Sequence, residues 1–258
     1  MEKISKNQLK YYSSLLLKKI RKEEGKFLVE GFKLISEAFS SSYACEAIIV
    51  TEKNITNAKK LFVDYNFTYF IATEKEFERL SDTVNPQGIA GVFSVSKKKS
   101  FPRNIKIVAA LENISDPGNL GTILRNCDWF GISDIIYSPD CAEIFNPKTL
   151  RASMGSVFHL NFILPDNFYN EIIRFKQNGY TVLNSDMNGE SIYQFKIPEK
   201  MVVIFSNEAN GPTKQIGEIA DYNITIPKFG NAESLNVACA SAIILSEIFA
   251  SSQIVLHK

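Results

Sequence analysis

Hydrophobic positions along the chain follow two rhythms. Residues 5–22 place Leu9, Tyr12, Leu16 and Ile20 at helical spacing, with Lys6, Lys10, Lys18, Lys19, Arg21 and Lys22 around them, which predicts a helix with one apolar stripe. Gly25 ends it, and the short apolar run Phe27-Leu28-Val29 leads to Glu30-Gly31. Helical patterning returns over 31–40 and near 54–65, separated by β-type runs at Ala47–Thr51 and Thr68–Ala72, and Gly88–Val95 predicts a further strand. Strands alternating with helices define a small α/β domain over residues 1–96.

The stretch Ser96-Lys97-Lys98-Lys99-Ser100-Phe101-Pro102-Arg103 is polar, basic and broken by proline, so residues 97–103 are the expected linker. From Ile105 the alternation restarts more regularly. Strands are expected at Ile105–Leu111, Asp134–Tyr137, Tyr180–Asn184, Val202–Phe205 and Asn223–Ile226, and helices near 121–130, 167–177 and 235–249. Continuous apolar strands with helices between them predict a parallel sheet covered on both faces, in a second α/β domain over 104–258.

Composition adds what periodicity leaves open. At 258 residues, 45% hydrophobic and 22% charged, the chain has the profile of an ordinary globular protein of one large or two modest domains. The formal net charge is only +1, but residues 1–100 carry 17 Lys and Arg against 12 Asp and Glu, and the remainder carries 12 against 16. The basic excess sits in the first 33 residues and points to an anionic partner, with a merely solvated basic helix face as the plainer alternative. No run of about 18 apolar residues predicts a membrane span, and the N-terminus lacks the pattern of a secretory signal. Cys45, Cys127, Cys141 and Cys239 are scattered without a CxxC pair, which fits reduced thiols in a cytoplasm rather than a metal or disulfide framework. With only His159 and His257, neither a His-rich metal site nor a Ser-His-Asp triad is expected.

In open α/β sheets, ligands gather where strands end at their carboxyl termini. Three such segments carry polar residues. After the first strand of the second half comes Glu112-Asn113-Ile114-Ser115-Asp116-Pro117-Gly118-Asn119-Leu120-Gly121, a tight turn and then a helix beginning near Asn119–Gly121, whose free N–H groups suit an anion and whose Arg125 would face the same pocket. A purely structural turn capped by Asn119 is the plainer reading. After Val202–Phe205 comes Ser206-Asn207-Glu208-Ala209-Asn210-Gly211, and after Asn223–Ile226 comes Pro227-Lys228-Phe229-Gly230-Asn231-Ala232-Glu233-Ser234-Leu235-Asn236. Ser234 is the expected N-cap of the last helix, and the Asn236 amide there needs a partner or a ligand.

Together the three segments resemble the three motifs of the SpoU (TrmH) family of RNA ribose 2′-O-methyltransferases, within the SPOUT superfamily: Asn-x-x-Asp-Pro-x-Asn-x-Gly-x-x-x-Arg, then Asn-Glu-x-x-Gly, then Ile-Pro-x-x-Gly-x-x-x-Ser-Leu-Asn-Val-Ala. The resemblance extends to Pro147–Ser156, and upstream to Phe27-Leu28-Val29-Glu30-Gly31 and Pro86-Gln87-Gly88-Ile89, which are similar to the L30e-like RNA-binding domain that many members carry. It implies a C-terminal parallel sheet threaded into a deep trefoil knot, S-adenosylmethionine as cofactor, a homodimer whose active site is completed across the interface, and an RNA substrate, ribosomal before transfer RNA. By motif position Asn119, Arg125, Glu208, Ser234 and Asn236 match the catalytic-site residues, and Ser206, Asn207, Gly211, Ile226 and Leu235 match the cofactor site. The family usually has glycine where Ser206 stands. A serine fits if the backbone φ there is negative or its Cβ has room.

The resemblance implies that Arg125 sits beside the ribose hydroxyl and a phosphate, held by Asn119, Ser234 and Asn236 and oriented by Glu208, and the basic N-terminal helix then binds RNA through Lys18, Lys19, Arg21 and Lys22. Three other readings compete. A dinucleotide-binding dehydrogenase lacks its G-x-G-x-x-G glycines here, and leaves the third motif unexplained. A non-catalytic RNA-binding protein on the same scaffold, or methylation of a base rather than a ribose, would keep the fold and change the chemistry.

Overall fold

The alternation of strands and helices resolves into two units, residues 1–97 together with 143–158, and residues 98–142 together with 159–258. The computed structural model describes residues 2–62, 67–95, 105–207 and 211–256. The expected linker at 97–103 and the motif residue Glu208 lie outside the described residues.

In the first unit, strand β1 (Glu2–Lys3) leads to helix α1 (Lys6–Ser14), started by a capping box between Ser5 and Gln8. The single helix expected over 5–22 is in fact two. The Ser13 and Ser14 hydroxyls donate back to the carbonyls of Lys10 and Tyr11, the chain turns through the fully buried Leu15, and α2 (Lys18–Glu24) begins afresh. The apolar stripe survives the break, because Tyr12, Leu16 and Ile20 all pack against the same core. Gly25 ends α2 at a φ of 62°, as its position predicts.

Then follow β2 (Lys26–Glu30), α3 (Phe32–Phe39), β3 (Ala44–Thr51), α4 (Ile55–Leu61), β4 (Thr68–Ala72), α5 (Glu74–Phe77) and β5 (Ile89–Ser94). The sheet runs β1-β4-β3-β5-β2, with β5 antiparallel to both β3 and β2. The two upstream motif segments meet here. Gly31 at φ 99° donates its N–H to the Ile89 carbonyl, Gln87 donates its backbone N–H to the Glu30 carboxylate at 2.8 Å, and a Cβ on Gly31 would collide with the Gln87 side chain.

Residues 143–158 belong to this unit, although they lie within the 104–258 span expected for the second domain. Their helix is α7 (Pro147–Ser153). Phe145 stacks on Phe27 at 4.3 Å between ring centroids, Phe158 packs on the same ring, Glu143 pairs with Arg21, and Arg151 forks onto Asp82. These aromatic and ionic partners all come from the N-terminal segment, which is why the segment groups there.

The second unit contains β6 (Ile107–Glu112), α6 (Pro117–Trp129), β7 (Asp134–Tyr137), β8 (Asn161–Ile163), α8 (Phe168–Gln177), β9 (Thr181–Ser191), β10 (Met201–Ser206), α9 (Lys214–Ile219), β11 (Tyr222–Thr225) and α10 (Val237–Leu256). Its six strands are all parallel, in the order β11-β9-β10-β6-β7-β8. Val108, Ala110, Val182, Val202 and Ile204 form one core with Phe168, Ile172 and Ile216 of α8 and α9. Helices α6 and α10 pack on each other, where the Asn126 amide donates to the Ala238 carbonyl and the Ser241 hydroxyl, each at 2.9 Å. The chain runs outward from β6 through β7 to β8, then returns to place β10 against the other side of β6. The strand order therefore reverses between β6 and β10, whose last paired residues are Glu112 and Ser206.

Candidate functional site

At the reversal point, the chain leaving β6 turns through Asn113, whose φ of 57° is left-handed, a conformation that asparagine tolerates better than most residues. The Ser138 hydroxyl holds that turn, accepting from the Asn113 N–H and donating to its side-chain oxygen, both at 2.9 Å. Cys141 lies against Ser138 and the Leu111 carbonyl, and burial raises its thiol above the ordinary value. Helix α6 starts earlier than its sequence indicates: Asp116 caps it and Pro117 opens it. Consequently the N–H of Asn119 is already bonded to Asp116 Oδ1, and that of Leu120 to the Asp116 carbonyl, so these amides are not the free anion site expected there.

Among the described residues the expected catalytic residues divide into two groups. Asn119 and Asn236 are brought together directly, the Asn236 amide donating to Asn119 Oδ1 at 3.0 Å. Asn236, rather than Ser234, is the residue that caps α10: its Oδ1 accepts from the N–H groups of Ala238 and Cys239. The helix begins at Val237, which puts Ser234 two residues upstream of the cap position. Arg125, well inside α6 rather than in its first turn, is exposed, as is Ser234, and neither makes a hydrogen bond or ion pair among the described residues. No bond joins Arg125 to Asn119, Ser234 or Asn236 there.

The expected cofactor residues cluster at the ends of β10 and β11. Ser206 is the last residue of β10, its φ is not positive, and its hydroxyl donates to Glu112 Oε2 at 2.9 Å, so the serine is accommodated where the family usually has glycine. Asn207 donates its amide to the Asn113 carbonyl at 3.0 Å and to the Ser115 hydroxyl at 3.3 Å, tying the connection after β10 to the connection after β6. Gly211, at φ 62°, donates its N–H to the Asn207 carbonyl. Ile226 is half-buried and Leu235 exposed, and between them Phe229 is 98% exposed.

Of the basic residues assigned to RNA, Lys18, Lys19 and Lys22 are exposed, but Arg21 is not available. It is only 3% exposed, its guanidinium forks onto the Glu143 carboxylate at 2.9 and 2.6 Å, and it donates further to the Leu15 carbonyl. The helical stripe reading misplaced it because its partner, Glu143, is distant in sequence.

The reading of the sequence passed over one group altogether. Glu112 is fully buried and accepts from Ser206, Thr213 and Tyr169. Burial raises the Tyr169 phenol above its usual value, with the adjacent Glu112 carboxylate adding to the effect. The available signal was a carboxylate closing an otherwise apolar strand. Among the described residues no group of three or more His, Cys, Asp or Glu is placed to hold a metal, and no helix is long and apolar enough to cross a membrane.

A six-stranded parallel α/β sheet with a reversal in strand order defines an open α/β ligand-binding fold, with its site at the carboxyl ends of β6 and β10. Comparison with known proteins narrows this. The SpoU rRNA Methylase family model matches residues 106–246, and the MRM3-like substrate binding domain matches residues 6–91. The chain belongs to the SpoU rRNA methylase family. It is 32% identical over 245 residues to the 23S rRNA (guanosine(2553)-2′-O)-methyltransferase RlmP of Bacillus subtilis, covering 93% of this chain and 96% of that protein. The AdoMet-bound rRNA methyltransferase structure from Sinorhizobium meliloti superposes with a TM-score of 0.83 at 27% identity, over 96% of this chain and 97% of that one. The SpoU methyltransferase AviRb of Streptomyces viridochromogenes, solved with AdoMet, shares the fold at a TM-score of 0.87 and 22% identity, over 96% of this chain and 99% of that one.

Proposed function

We propose that the second unit transfers the methyl group of S-adenosylmethionine to a ribose 2′-hydroxyl of ribosomal RNA, and that the first unit binds that RNA. The observation that carries this reading is the Asn119–Asn236 hydrogen bond, which joins the first and third motifs. The second motif meets the first through Asn207. The ribosomal preference rests on the family and on the substrate named for the Bacillus relative.

The residues present fit the cofactor. Because the Ser206 hydroxyl is engaged by Glu112, Asn207, Gly211, Ile226 and Leu235 are left to line the adenosyl group. Asn184, in register with Ile204 of β10 and Asn223 of β11, holds a buried Oδ1 without a hydrogen-bond partner among the described residues, an acceptor that a ligand amine would satisfy. S-adenosylmethionine supplies a methyl group activated on a sulfonium. The chain's task is alignment, since an in-line displacement gains most from fixed geometry. Arg125 presents a planar guanidinium whose forked N–H groups match phosphate and oxyanion geometry. Its role is to hold a phosphate or to stabilise the developing alkoxide. By motif position alone, Glu208 and Ser234 are assigned to the same reaction.

A homodimer completes the site. Trp129 is 80% exposed and Phe249, in ring contact with Phe130, is also exposed, leaving apolar surface on α6 and α10 for a second copy to cover. The deep knot belongs to this reading, and a cytoplasmic setting accords with four free cysteines.

The test is a transfer assay. The protein is incubated with methyl-labelled S-adenosylmethionine and total RNA from cells lacking this gene, and the RNA is fractionated and digested to nucleosides. Label in a 2′-O-methyl nucleoside of ribosomal RNA is expected, with Arg125→Lys reducing the rate at least about tenfold through loss of the guanidinium fork. Label on a base, or in transfer RNA, overturns the corresponding part of the reading. Wild-type turnover by Arg125→Lys removes any role for guanidinium geometry.

A further inference from the structure

A carboxylate at the bottom of a protein is costly unless its lone pairs are filled by donors. Glu112 is 0% exposed and has four. Its Oε2 accepts from the Ser206 hydroxyl at 2.9 Å and the Thr213 backbone N–H at 3.2 Å, and its Oε1 accepts from the Thr213 hydroxyl at 2.7 Å and the Tyr169 phenol at 3.1 Å. The Thr213 hydroxyl at the same time accepts from the Ile216 N–H and caps α9. The placement of these donors matters more than their number. Ser206 is the last residue of β10 and Thr213 is the cap of α9, so one carboxylate holds both ends of the connection that contains Asn207 and Gly211. Glu112 is itself the last residue of β6, in register with Ser206 where the strand order reverses.

We infer that Glu112 is a positioning residue for the cofactor: by binding Ser206 and Thr213 it fixes the end of β10 and the start of α9, and with them the flanking Asn207 and Gly211, for S-adenosylmethionine. This rests on the reading, given above, that Asn207 and Gly211 line the cofactor. It also gives Ser206 a purpose. A glycine there would leave the carboxylate with three donors, whereas the serine supplies the fourth and fastens the start of the connection. The clamp acts on binding rather than on the chemical step, since Glu112 is fully buried.

The experiment compares wild type, Glu112→Gln, Thr213→Val and Thr213→Ser. Cofactor affinity is measured by calorimetry with S-adenosylmethionine and with S-adenosylhomocysteine, kcat and both KM values by methyl transfer, and amide hydrogen exchange is followed at Asn207 and Gly211. Glu112→Gln keeps the shape but loses the charge, and Thr213→Val removes one charge-assisted hydrogen bond. Each is expected to weaken cofactor binding about tenfold or more, the size of effect that such a bond supports. The cofactor KM should rise in parallel, while kcat at saturation and the KM for RNA stay within about threefold, and exchange at the two amides should accelerate. Thr213→Ser keeps the hydroxyl and should behave as wild type, which a general loss of stability would not produce. If either Glu112→Gln or Thr213→Val binds the cofactor as wild type does, or loses kcat with its cofactor KM unchanged, the clamp is overturned while the functional reading stands. If exchange accelerates and cofactor affinity does not change, the connection is not part of the cofactor site, and the assignment of Asn207 and Gly211 fails along with the inference. Wild-type protein that binds neither ligand overturns the functional reading itself.

Discussion

Arg21 shows how far a side chain's role depends on one local turn. Its neighbours Lys18, Lys19 and Lys22 face solvent, yet its buried guanidinium pairs with the partly exposed Glu143 across 122 positions of sequence. Removing one member of such a pair strands the other, so Arg21→Ala should lower unfolding stability by about 3 kcal/mol, read from the denaturant midpoint. Lys18→Ala, Lys19→Ala and Lys22→Ala should each change it by less than about 0.5 kcal/mol. An Arg21→Ala protein as stable as wild type would show that the pair contributes nothing. The candidate site was legible at this scale wherever a residue type is tied to backbone geometry. The turn after β6 and the polar loop after β10 could be read from glycine, proline and asparagine placement. Glu112 could not, because its importance comes from Tyr169 and Thr213, which reach it only once α8 and α9 are packed.

At the scale of elements, the long apolar strands were easiest to read: the expected Asp134–Tyr137 and Thr68–Ala72 are the observed β7 and β4. Strands without a hydrophobic signature were not legible. β9 continues to Ser191 through Ser185, Asp186, Asn188 and Glu190, a polar stretch that pairs only with the edge strand β11, and Gly189 is needed because a Cβ there would meet the Asn223 carbonyl oxygen at 2.4 Å. β8 has three residues, and α9 six, too few for either period to show. The cap of α10 joins element to site. Asn236 uses its oxygen for the helix and its amide for Asn119, so two substitutions separate the roles. Asn236→Ala should cost about 1 kcal/mol in thermal or denaturant unfolding and also reduce methyl transfer. Asn236→Asp keeps the capping oxygen but cannot donate to Asn119, so it should retain stability to within about 0.5 kcal/mol while transfer falls. Full activity in the aspartate variant would mean that the Asn119 contact has no part in the reaction.

Across the whole molecule, charge is unevenly spread, with the basic excess at the N-terminus offset by acidic residues later. Phosphate neutralisation releases counterions, so each lysine engaged with RNA adds to the salt dependence of binding. Replacing Lys18, Lys19 and Lys22 together by alanine should flatten the plot of log affinity against log salt by roughly 2 units and weaken binding at low salt, without altering which nucleotide is methylated. An unchanged slope would place the RNA elsewhere on the surface.

The grouping of residues 143–158 with the N-terminal segment bears on how this chain can be divided or exchanged. Its sequence passes from one unit to the other three times, so a single cut cannot release either as an intact piece. A fragment ending near residue 97 would carry Phe27 without Phe145 and Phe158, and Arg21 without its carboxylate. Any transplant of the first unit onto another methyltransferase must therefore move two stretches of chain together, and recombination within this lineage is constrained in the same way.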